Sequence, residues 1–287
     1  MPAFVLVVPR ADSELAADHL FGLGVTAVEE RESSVDGSVE LWTEVGNGEA
    51  SISAAVASLR PPWSWRSVAV DASVTERWRA YASPTWVTDD VVIVPAWLTG
   101  STDTADALAV AIDPGAAFGL GDHPTTQLTT RLMLDALVAG DQAVLDVGCG
   151  SGVLAIVAAR RGARRVEAID ISTAAIEATR LNVTANGVAD RVFASTTLLA
   201  HVEATFDVVV ANVLAPVLVE MADDLRRVLA PGGTLIVSGV RADRHDHVLR
   251  ALGPFVDTHT VTMDGWAAIG LSDNPDRPNR RESGAAK

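Results

Sequence analysis

The feature that most constrains the fold is a regular alternation of short apolar runs with helical segments between residues 101 and 272. Five runs have the length and the Val and Ile content of buried strands; they cover 143–147, 166–171, 191–194, 207–211 and 234–238. A last, antiparallel pair of strands is predicted at 255–261 and 265–271. Continuous apolar strands that alternate with helices are typical of a parallel sheet covered on both faces. The pattern therefore predicts a doubly wound α/β domain over residues 101–272.

The first of these strands leads into a glycine-rich turn, "VLDVGCGSGVLAI". Gly148, Gly150 and Gly152 lack a Cβ atom where the backbone must turn sharply and approach a ligand. The helix that follows offers unpaired N–H groups and a positive dipole end. Further on, "VEAIDIS" places Asp170 at the end of the second strand, where a carboxylate can accept hydrogen bonds from both hydroxyls of a ribose. These residues predict a nucleoside-containing cofactor.

Two classes of cofactor fit this turn. A dinucleotide-binding loop has the motif G-x-G-x-x-G/A. The sequence matches this motif only if its first glycine is Gly150, which lies two residues beyond Gly148, the glycine that directly follows the strand. The form G-x-G-x-G, which starts at Gly148 and has Asp146 at the strand end, is that of S-adenosylmethionine-binding loops. These residues favour S-adenosylmethionine over a nicotinamide cofactor. A glycine turn with a structural role alone is the third interpretation.

The fourth strand ends at Asn212 in "FDVVVANVLAPVL", at the edge of the sheet where ligands of open α/β folds bind. The side chain of Asn212 can cap the following helix. Alternatively, its carbonyl oxygen can accept a hydrogen bond from the cofactor or from an amine about to be methylated. The sequence is not N-P-P-Y, which disfavours methylation of a nucleobase amine.

The first 70 residues have a different pattern, with predicted elements in the order βαββαβ. That order indicates a small α+β domain of the ferredoxin-like kind. Within it, "ASISAAVASLR" (50–60) is predicted as a helix. Residues 71–100 are predicted to form a connector that contains a strand, "VVIVPAW", and the polar tail 273–287 is predicted to be disordered.

Charge and composition limit the classes of binding partner and the cellular location that we expect for this protein. The net charge of −15 argues against direct binding to nucleic acid, and it suits a basic protein partner or serves solubility alone. Cys149 is the single cysteine, so no intrachain disulfide can form. We find no apolar run long enough to span a membrane, and "MPAFVLVVPR" is predicted to be a first strand rather than a signal peptide. We therefore expect a soluble, cytoplasmic protein.

A second glycine-rich stretch, "DPGAAFGLGDHPTT", lies upstream of the first, and the two together resemble a known family. With "VLDVGCGSGVLAI", "AIDIS" and "ANVLAP", it occurs in the order and spacing of the methyltransferases that modify large-subunit ribosomal protein eleven (the PrmA family). The Trp-rich "ERWRAYASPTWVTDDVVIVPAW" is also similar to that family's lead into its catalytic domain. The resemblance covers most of residues 75–240. It implies a seven-stranded, Rossmann-like class I methyltransferase sheet, preceded by a small domain that recognises the substrate.

The resemblance also implies a site. By the family's pattern, Thr126, Gly148, Gly150, Asp170 and Asn212 contact S-adenosylmethionine. The upper loop, which we define as residues 118–126, lies across the methionine end of the cofactor, and the glycine turn holds it from below. Asn212 is the predicted catalytic residue and orients a lysine ε-amine or an α-amine. The implied substrate is a basic ribosomal protein of the large subunit, and we expect the enzyme to act as a monomer without a metal.

The upper loop departs from the family at two positions. Where the family usually has F-G-T-G, this chain has Leu120 in place of the threonine, and Asp122 follows. These departures leave open another protein or a small-molecule amine as the acceptor. A nicotinamide-dependent oxidoreductase and a cofactor-binding protein without catalytic activity are the other two alternatives.

Three other features attract a chemical interpretation. His123 can act as a proton acceptor, but Pro124 beside it indicates a shaped turn. The stretch "DRHDH" (243–247) imitates a metal site, although a solvated helix start explains it better. Cys149 lies inside the glycine turn, where we expect a small residue rather than a nucleophile.

Overall fold

The computed structural model describes residues 2–22, 28–44, 62–69, 79, 81–104, 106–115, 119–137 and 141–273. The chain divides into two compact units, Met1–Ala82 and Ser83–Lys287. Their boundary lies inside the stretch predicted as a connector, 71–100. The predicted helix at 50–60 and all but the first residue of the predicted disordered tail lie outside the described residues. In the described part of the chain, no helix has both the length and the apolar character needed to cross a membrane.

The N-terminal unit contains an antiparallel four-stranded sheet with one helix packed on it. Its described elements are β1 (Pro2–Pro9), α1 (Ser13–Gly22), β2 (Glu29–Glu32), β3 (Ser38–Glu44) and β4 (Ser64–Ala69). The strand order is β2-β3-β1-β4. Alternate residues of β1 and β3, among them Leu6 and Leu41, are buried with Leu20 of α1. One face of the sheet and one side of the helix therefore form the core of this unit.

The second unit begins with a three-stranded sheet in the order β5-β6-β7. Its strands are β5 (Thr85–Thr88), β6 (Val91–Pro95) and β7 (Leu108–Ile112). Strand β6 is the strand predicted in the connector, and all five of its residues are buried. It pairs in parallel with β7. The strand thus belongs to the second unit rather than to a separate linker.

The main body of the second unit is a seven-stranded sheet in the order β10-β9-β8-β11-β12-β14-β13. Strand β14 is antiparallel to both of its neighbours, and the other strands run in one direction. This topology confirms the predicted doubly wound sheet. The elements are α2 (Pro124–Ala136), β8 (Ala143–Val147), α3 (Val153–Arg160), β9 (Arg165–Ile169), α4 (Thr173–Ala185), β10 (Val192–Ser195), β11 (Phe206–Asn212), α5 (Ala215–Glu220), α6 (Ala222–Arg227), β12 (Leu229–Arg241), α7 (Asp246–Leu252), β13 (Val256–Met263) and β14 (Trp266–Ser272).

Helices cover both faces of this sheet, which explains why the central strand β8 is buried along its whole length. Successive side chains of a strand point to opposite faces. Val144 of β8 packs in a core with residues of α2, α3 and α4, whereas its neighbour Leu145 packs in a second core with residues of α5, α6 and α7. Both side chains are fully buried. A continuous apolar run is the sequence that such a two-sided environment requires.

Strand β12 extends beyond its predicted span of 234–238 at both ends: Leu229 at its start pairs with Phe206 of β11, and the extension at its end depends on β14. Strand β14 pairs with β12 as far as Arg241, across an irregularity between Ser238 and Val240. This irregularity contains Gly239, whose φ is +85°. A Cβ atom at Gly239 would lie 2.1 Å from the carbonyl oxygen of Val213, in the loop after β11. Gly239 therefore permits a close contact between the end of β12 and that loop.

We predict that Gly239→Ala destabilises the second unit much more than Gly232→Ala does. Both glycines lie in β12 with positive φ (+85° and +74°), but a Cβ atom at Gly232 would meet nothing within 4 Å. The left-handed backbone costs about 1–2 kcal/mol in either variant. Steric overlap at Gly239 adds about 1–3 kcal/mol.

Urea unfolding of both variants measures the difference. Equal losses of unfolding free energy would show that the contact with Val213 relaxes without cost and that only the backbone conformation matters.

Candidate functional site

Three of the predicted site residues meet because their strands are neighbours. Strands β9, β8 and β11 are adjacent and parallel, so their carboxyl ends lie at one edge of the sheet. Gly148 follows β8, Asp170 follows β9, and Asn212 is the last residue of β11. The edge that the sequence predicted as the ligand-binding edge therefore collects these residues from three separate segments.

The glycine turn has the backbone conformation that was predicted for it. Gly148, Gly150 and Gly152 have φ angles of +74°, +55° and +82°. The N–H groups of Gly148 and Cys149 both donate to the carbonyl of Ile169, at 2.8 and 3.1 Å. A Cβ atom at Gly152 would lie 2.8 Å from the side chain of Thr179. The turn is thus a tight backbone structure that side chains at these positions would strain.

Asp170 supports the turn through two hydrogen bonds to backbone N–H groups. Its Oδ2 accepts a hydrogen bond from the N–H of Gly150 at 3.0 Å, and its Oδ1 accepts one from the N–H of Ser172 at 2.9 Å. A carboxylate offers about four acceptor positions, so two remain for a ligand. The next residue, Ile171, is 85% exposed, an unusual state for a large apolar side chain beside a site.

Asp146 is the most electrostatically perturbed carboxyl group of the site. It is fully buried, and its Oδ2 accepts a hydrogen bond from the N–H of Ala155 at 3.1 Å. Its Oδ1 has no hydrogen-bond partner among the residues that the structure describes. Burial, with a smaller contribution from the charge of Asp170, raises the pKa of Asp146 to about 7, against the opposing effect of the Ala155 hydrogen bond. The raised pKa means that burial favours the protonated form of this carboxyl group in the unliganded protein, whereas a cationic or hydrogen-bond-donating ligand at Oδ1 would favour the carboxylate.

The upper loop contacts the glycine turn directly. The hydroxyl of Ser151, in the turn, donates to the carbonyl of Gly119 at 2.5 Å, and Ser151 is fully buried. Gly121 also approaches β6 closely, since a Cβ atom there would lie 2.6 Å from Ile93. Phe118, predicted as part of this loop, lies outside the described residues. The described part of the upper loop and the glycine turn therefore form one structure.

The structure brings Asn212 and Thr126 together, although they are 86 residues apart in the sequence. Thr126 lies in the first turn of α2 and is buried, and the amide Nδ2 of Asn212 lies 3.5 Å from its Oγ1. The alternative role for Asn212 as a helix cap is wrong, because the N-cap of α5 is Leu214. The side chain of Asn212 is thus directed toward the upper loop.

His123 has a structural role at the start of α2. It is the N-cap residue, and its Nδ1 accepts a hydrogen bond from the N–H of Thr125 at 3.3 Å and lies 2.7 Å from the Thr125 hydroxyl. Its ring also contacts Trp266 edge to face, with centroids 5.2 Å apart. Burial lowers the pKa of His123, while the charge of Asp122 opposes that effect. Pro124 at the first helical position completes this start.

The other two features to which a chemical role could be assigned are Cys149 and residues 243–247. Cys149 is buried with its Sγ 3.4 Å from the hydroxyl of Thr179, and burial raises the pKa of its thiol far above the usual range. A thiol in that state is a poor nucleophile. Residues 243–247 lie around the start of α7, and no group of three or more potential metal ligands occurs among the described residues.

Sequence reasoning missed two residues that shape the site. Ser151 lies between two glycines, and its position in the sequence gave no sign of its hydrogen bond to the upper loop. Val213 contacts two glycines at once, since a Cβ atom at Gly148 would lie 2.4 Å from its Cγ1 and one at Gly239 would meet its carbonyl oxygen. Its apolar side chain gave no sign of this. Both contacts join segments that are distant in the sequence.

We predict that Asp146 makes stability depend on pH near neutrality. The pKa of this carboxyl group is about 7 when folded and about 3.9 when unfolded, so the folded state holds an extra proton between these values. The unfolding free energy therefore falls as the pH rises through this window. Asp146→Asn cannot ionise and removes the effect, so its stability relative to the wild type should rise by up to about 4 kcal/mol from pH 4 to above pH 7.

Urea unfolding at several pH values measures this difference. Asp141→Asn, which changes an exposed carboxylate, is the control and should follow the wild-type curve. Parallel curves for the wild type and Asp146→Asn would show that the pKa of Asp146 is not raised.

Comparison with known proteins gives a consistent result. The model of the family described as ribosomal protein L11 methyltransferase (PrmA) matches residues 16–273. Ribosomal protein L11 methyltransferase of Anoxybacillus flavithermus is 39% identical over 195 residues, which are 67% of this chain and 62% of that protein. The enzyme of the same name from Geobacter metallireducens is 44% identical over 195 residues, covering 68% of this chain and 59% of that protein.

A solved structure supports the same relationship. The ribosomal protein L11 methylase from Lactobacillus delbrueckii subsp. bulgaricus is 32% identical with a TM-score of 0.61, and the match covers 67% of this chain and 98% of that one. This chain spans about three fifths of the length of the curated relatives it matches. On the family match across nearly the whole chain, together with the two glycine loops that meet at one edge of the sheet, the chain belongs to the ribosomal protein L11 methyltransferase (PrmA) family.

Proposed function

We propose that this protein transfers methyl groups from S-adenosylmethionine to amino groups of ribosomal protein L11. The observation that carries the proposal is the contact between the two glycine-rich segments through Ser151 and Gly119, at the same sheet edge as Asp170 and Asn212. Family membership supports the cofactor and the acceptor. The names of the relatives supply ribosomal protein L11 as their substrate.

The residues present fit S-adenosylmethionine. Gly148 and Gly150 let the backbone approach the ligand, and the remaining acceptor positions of Asp170 suit the hydroxyls of a ribose. The exposed Ile171 beside Asp170 offers an apolar surface for a purine ring. The buried, unpartnered Oδ1 of Asp146 suits a positively charged or donating group on the amino-acid part of the ligand.

The bound cofactor supplies an electrophilic methyl group on a sulfonium ion, and the protein must present an amine to it. A lysine ε-amine has a pKa of about 10.4 and is almost fully protonated at neutral pH. Removal from water favours its neutral form. Positioning of the amine within about 3–3.5 Å of its target can account for much of the acceleration. No strong general base is required.

In this proposal, Asn212 orients the amine. Its Nδ2 lies toward Thr126, so its Oδ1 is the atom that accepts a hydrogen bond from the amine or from the cofactor. Thr126 is held in the first turn of α2, and its carbonyl accepts the hydroxyl of Thr130 at 2.7 Å. A buried and hydrogen-bonded support of this kind keeps the amide of Asn212 in one orientation.

We also propose that the N-terminal unit is a ferredoxin-like domain that recognises the substrate. Its sheet order, β2-β3-β1-β4, and the position of α1 after β1 are those of a split βαβ arrangement. The net charge of −15 suits a basic ribosomal protein and disfavours direct binding of nucleic acid. The proposal places the enzyme in the cytoplasm, as a monomer.

The second candidate is an S-adenosylmethionine-dependent methyltransferase that acts on another protein or on a small amine. Two departures in the upper loop favour it. Leu120 occupies the position at which the family usually has a threonine, and Asp122 lies two residues after it. Asp122 is exposed and directly precedes His123, the N-cap of α2. An added acid at this position can alter the choice of acceptor.

Intact-mass spectrometry of purified ribosomal protein L11, incubated with this protein and S-adenosylmethionine, tests the proposed acceptor. We expect mass to be added in steps of about 14 Da, the mass of one methylene, because each transfer replaces an amine hydrogen by a methyl group. The number of steps gives the number of methyl groups. An unchanged mass, with cofactor binding shown separately, would favour the second candidate.

We predict that Asp170→Ala and Gly148→Arg both abolish binding of S-adenosylhomocysteine. The first removes the acceptor for a ribose and for the Gly150 N–H, and the second places a side chain against Val213 at a φ of +74°. Isothermal titration calorimetry measures the binding, with thermal melting as a check of folding.

Asp190→Ala is the matched control, since it removes a carboxylate that pairs only weakly with Arg191 outside the site. Binding of NAD, but not of S-adenosylhomocysteine, by the wild type would instead support the oxidoreductase. Unchanged binding in both site variants would contradict the site described here.

A further inference from the structure

Helix α4 and its C-cap carry two buried asparagines one turn apart, Asn182 and Asn186, and both bind the backbone of the segment that includes β7. Asn182 and Asn186 are only 3% and 9% exposed. The Oδ1 of Asn186 accepts the N–H of Ala111 at 2.9 Å, and its Nδ2 donates to the Ala111 carbonyl at 2.7 Å. Asn182 does the same to Asp113, with bonds of 3.0 and 2.9 Å.

These two amides replace a missing neighbouring strand. Strand β7 is at the edge of its three-stranded sheet, so none of the described strands pairs with its outer N–H and C=O groups. Ala111 and Asp113 are two residues apart and present these groups on the same side of the chain. Buried backbone groups without partners are costly. The asparagines therefore satisfy the outer edge of this segment.

The two asparagines differ in their third hydrogen bond. Nδ2 of Asn186 also donates to the carbonyl of Asn182, within the same helix, at 2.8 Å. Nδ2 of Asn182 instead donates to the carbonyl of Ser151, in the glycine turn, at 2.9 Å. The hydroxyl of Ser151 in turn donates to Gly119. Of these two asparagines, only Asn182 therefore connects Asp113, the first residue of the second glycine-rich stretch, with the glycine turn.

The chemistry of the site selects asparagine at position 182. A primary amide has one oxygen that accepts and two N–H groups that donate, and Asn182 uses all of these on the backbone of Asp113 and Ser151. Aspartate would lack both donors, and glutamine would move the amide by one methylene group. Since the side chain is buried, water cannot replace a bond that is lost.

We infer that Asn182 is a positioning residue for the cofactor site. Its hydrogen bonds hold Asp113, where the second glycine-rich stretch begins, at a fixed position relative to Ser151 in the glycine turn. It acts through these two segments rather than by touching the ligand. This inference rests on the proposed function, because it assigns the two segments to one S-adenosylmethionine site. Asn186 stabilises the same edge but makes no bond to the turn.

The test compares Asn182→Ala with Asn186→Ala in the full chain. Both variants leave two backbone groups of the edge without partners, so we expect similar decreases in Tm. The dissociation constant for S-adenosylhomocysteine, measured by isothermal titration calorimetry, should rise at least about tenfold in Asn182→Ala and stay within about twofold of wild type in Asn186→Ala. If Asn182 had only a structural role, Asn182→Ala and Asn186→Ala would change the dissociation constant for S-adenosylhomocysteine to the same extent.

Asn182→Asp provides a second variant if Asn182→Ala does not fold. It keeps the size of the side chain and the acceptor for the Asp113 N–H but cannot donate to Ser151, so its dissociation constant should also rise. If the Asn182 variants have the same dissociation constant as Asn186→Ala, the inference is overturned, but the proposed function is not affected. A wild type that does not bind S-adenosylhomocysteine would overturn both.

Discussion

The close approach of Val213 to two glycines is the constraint on which the arrangement of the site depends. The ends of β8, β11 and β12 converge there, and no Cβ atom fits at Gly148 or Gly239 without displacing Val213. Val213 directly follows Asn212, whose Nδ2 lies 3.5 Å from Oγ1 of Thr126. The residue that we propose to align the acceptor amine is therefore the neighbour of the one that packs against both glycines.

The electrostatics of the site follow from the same compactness. Asp146 lies in β8 and Asp170 directly follows the neighbouring strand β9, and Asp146 is fully buried. Asp170 accepts hydrogen bonds from two backbone N–H groups, whereas Asp146 accepts one at Oδ2 and its Oδ1 has no partner among the described residues. An unpartnered carboxylate oxygen in the interior costs free energy in the unliganded protein. A ligand that brings positive charge to this edge regains that free energy, which is consistent with a sulfonium cofactor that also carries an ammonium group.

Most of the fold could be predicted from the sequence because buried parallel strands and amphipathic helices have local patterns. The predicted strand at 143–147 agrees with β8 in full, and the one at 207–211 differs from β11 by one residue at each end. The extension of β12 to Arg241 was not predictable, because it depends on pairing with β14 across a bulge. The choice between the two roles of Asn212 was also open in the sequence. It depends on where α5 begins, and the structure gives that as Ala215.

The sequence by itself determined the doubly wound sheet, the glycine turn after its first strand and the family, because each is encoded by residues that lie close together in the chain. Only the tertiary structure decided how the segments of the site meet. Ser151 and Asn182 look like an ordinary small residue and an ordinary helix residue until Gly119 and Asp113 are brought beside them. Hydrogen bonds between distant backbone groups have no periodicity and no fixed spacing. They become visible only when the sheet has placed the carboxyl ends of its strands at one edge.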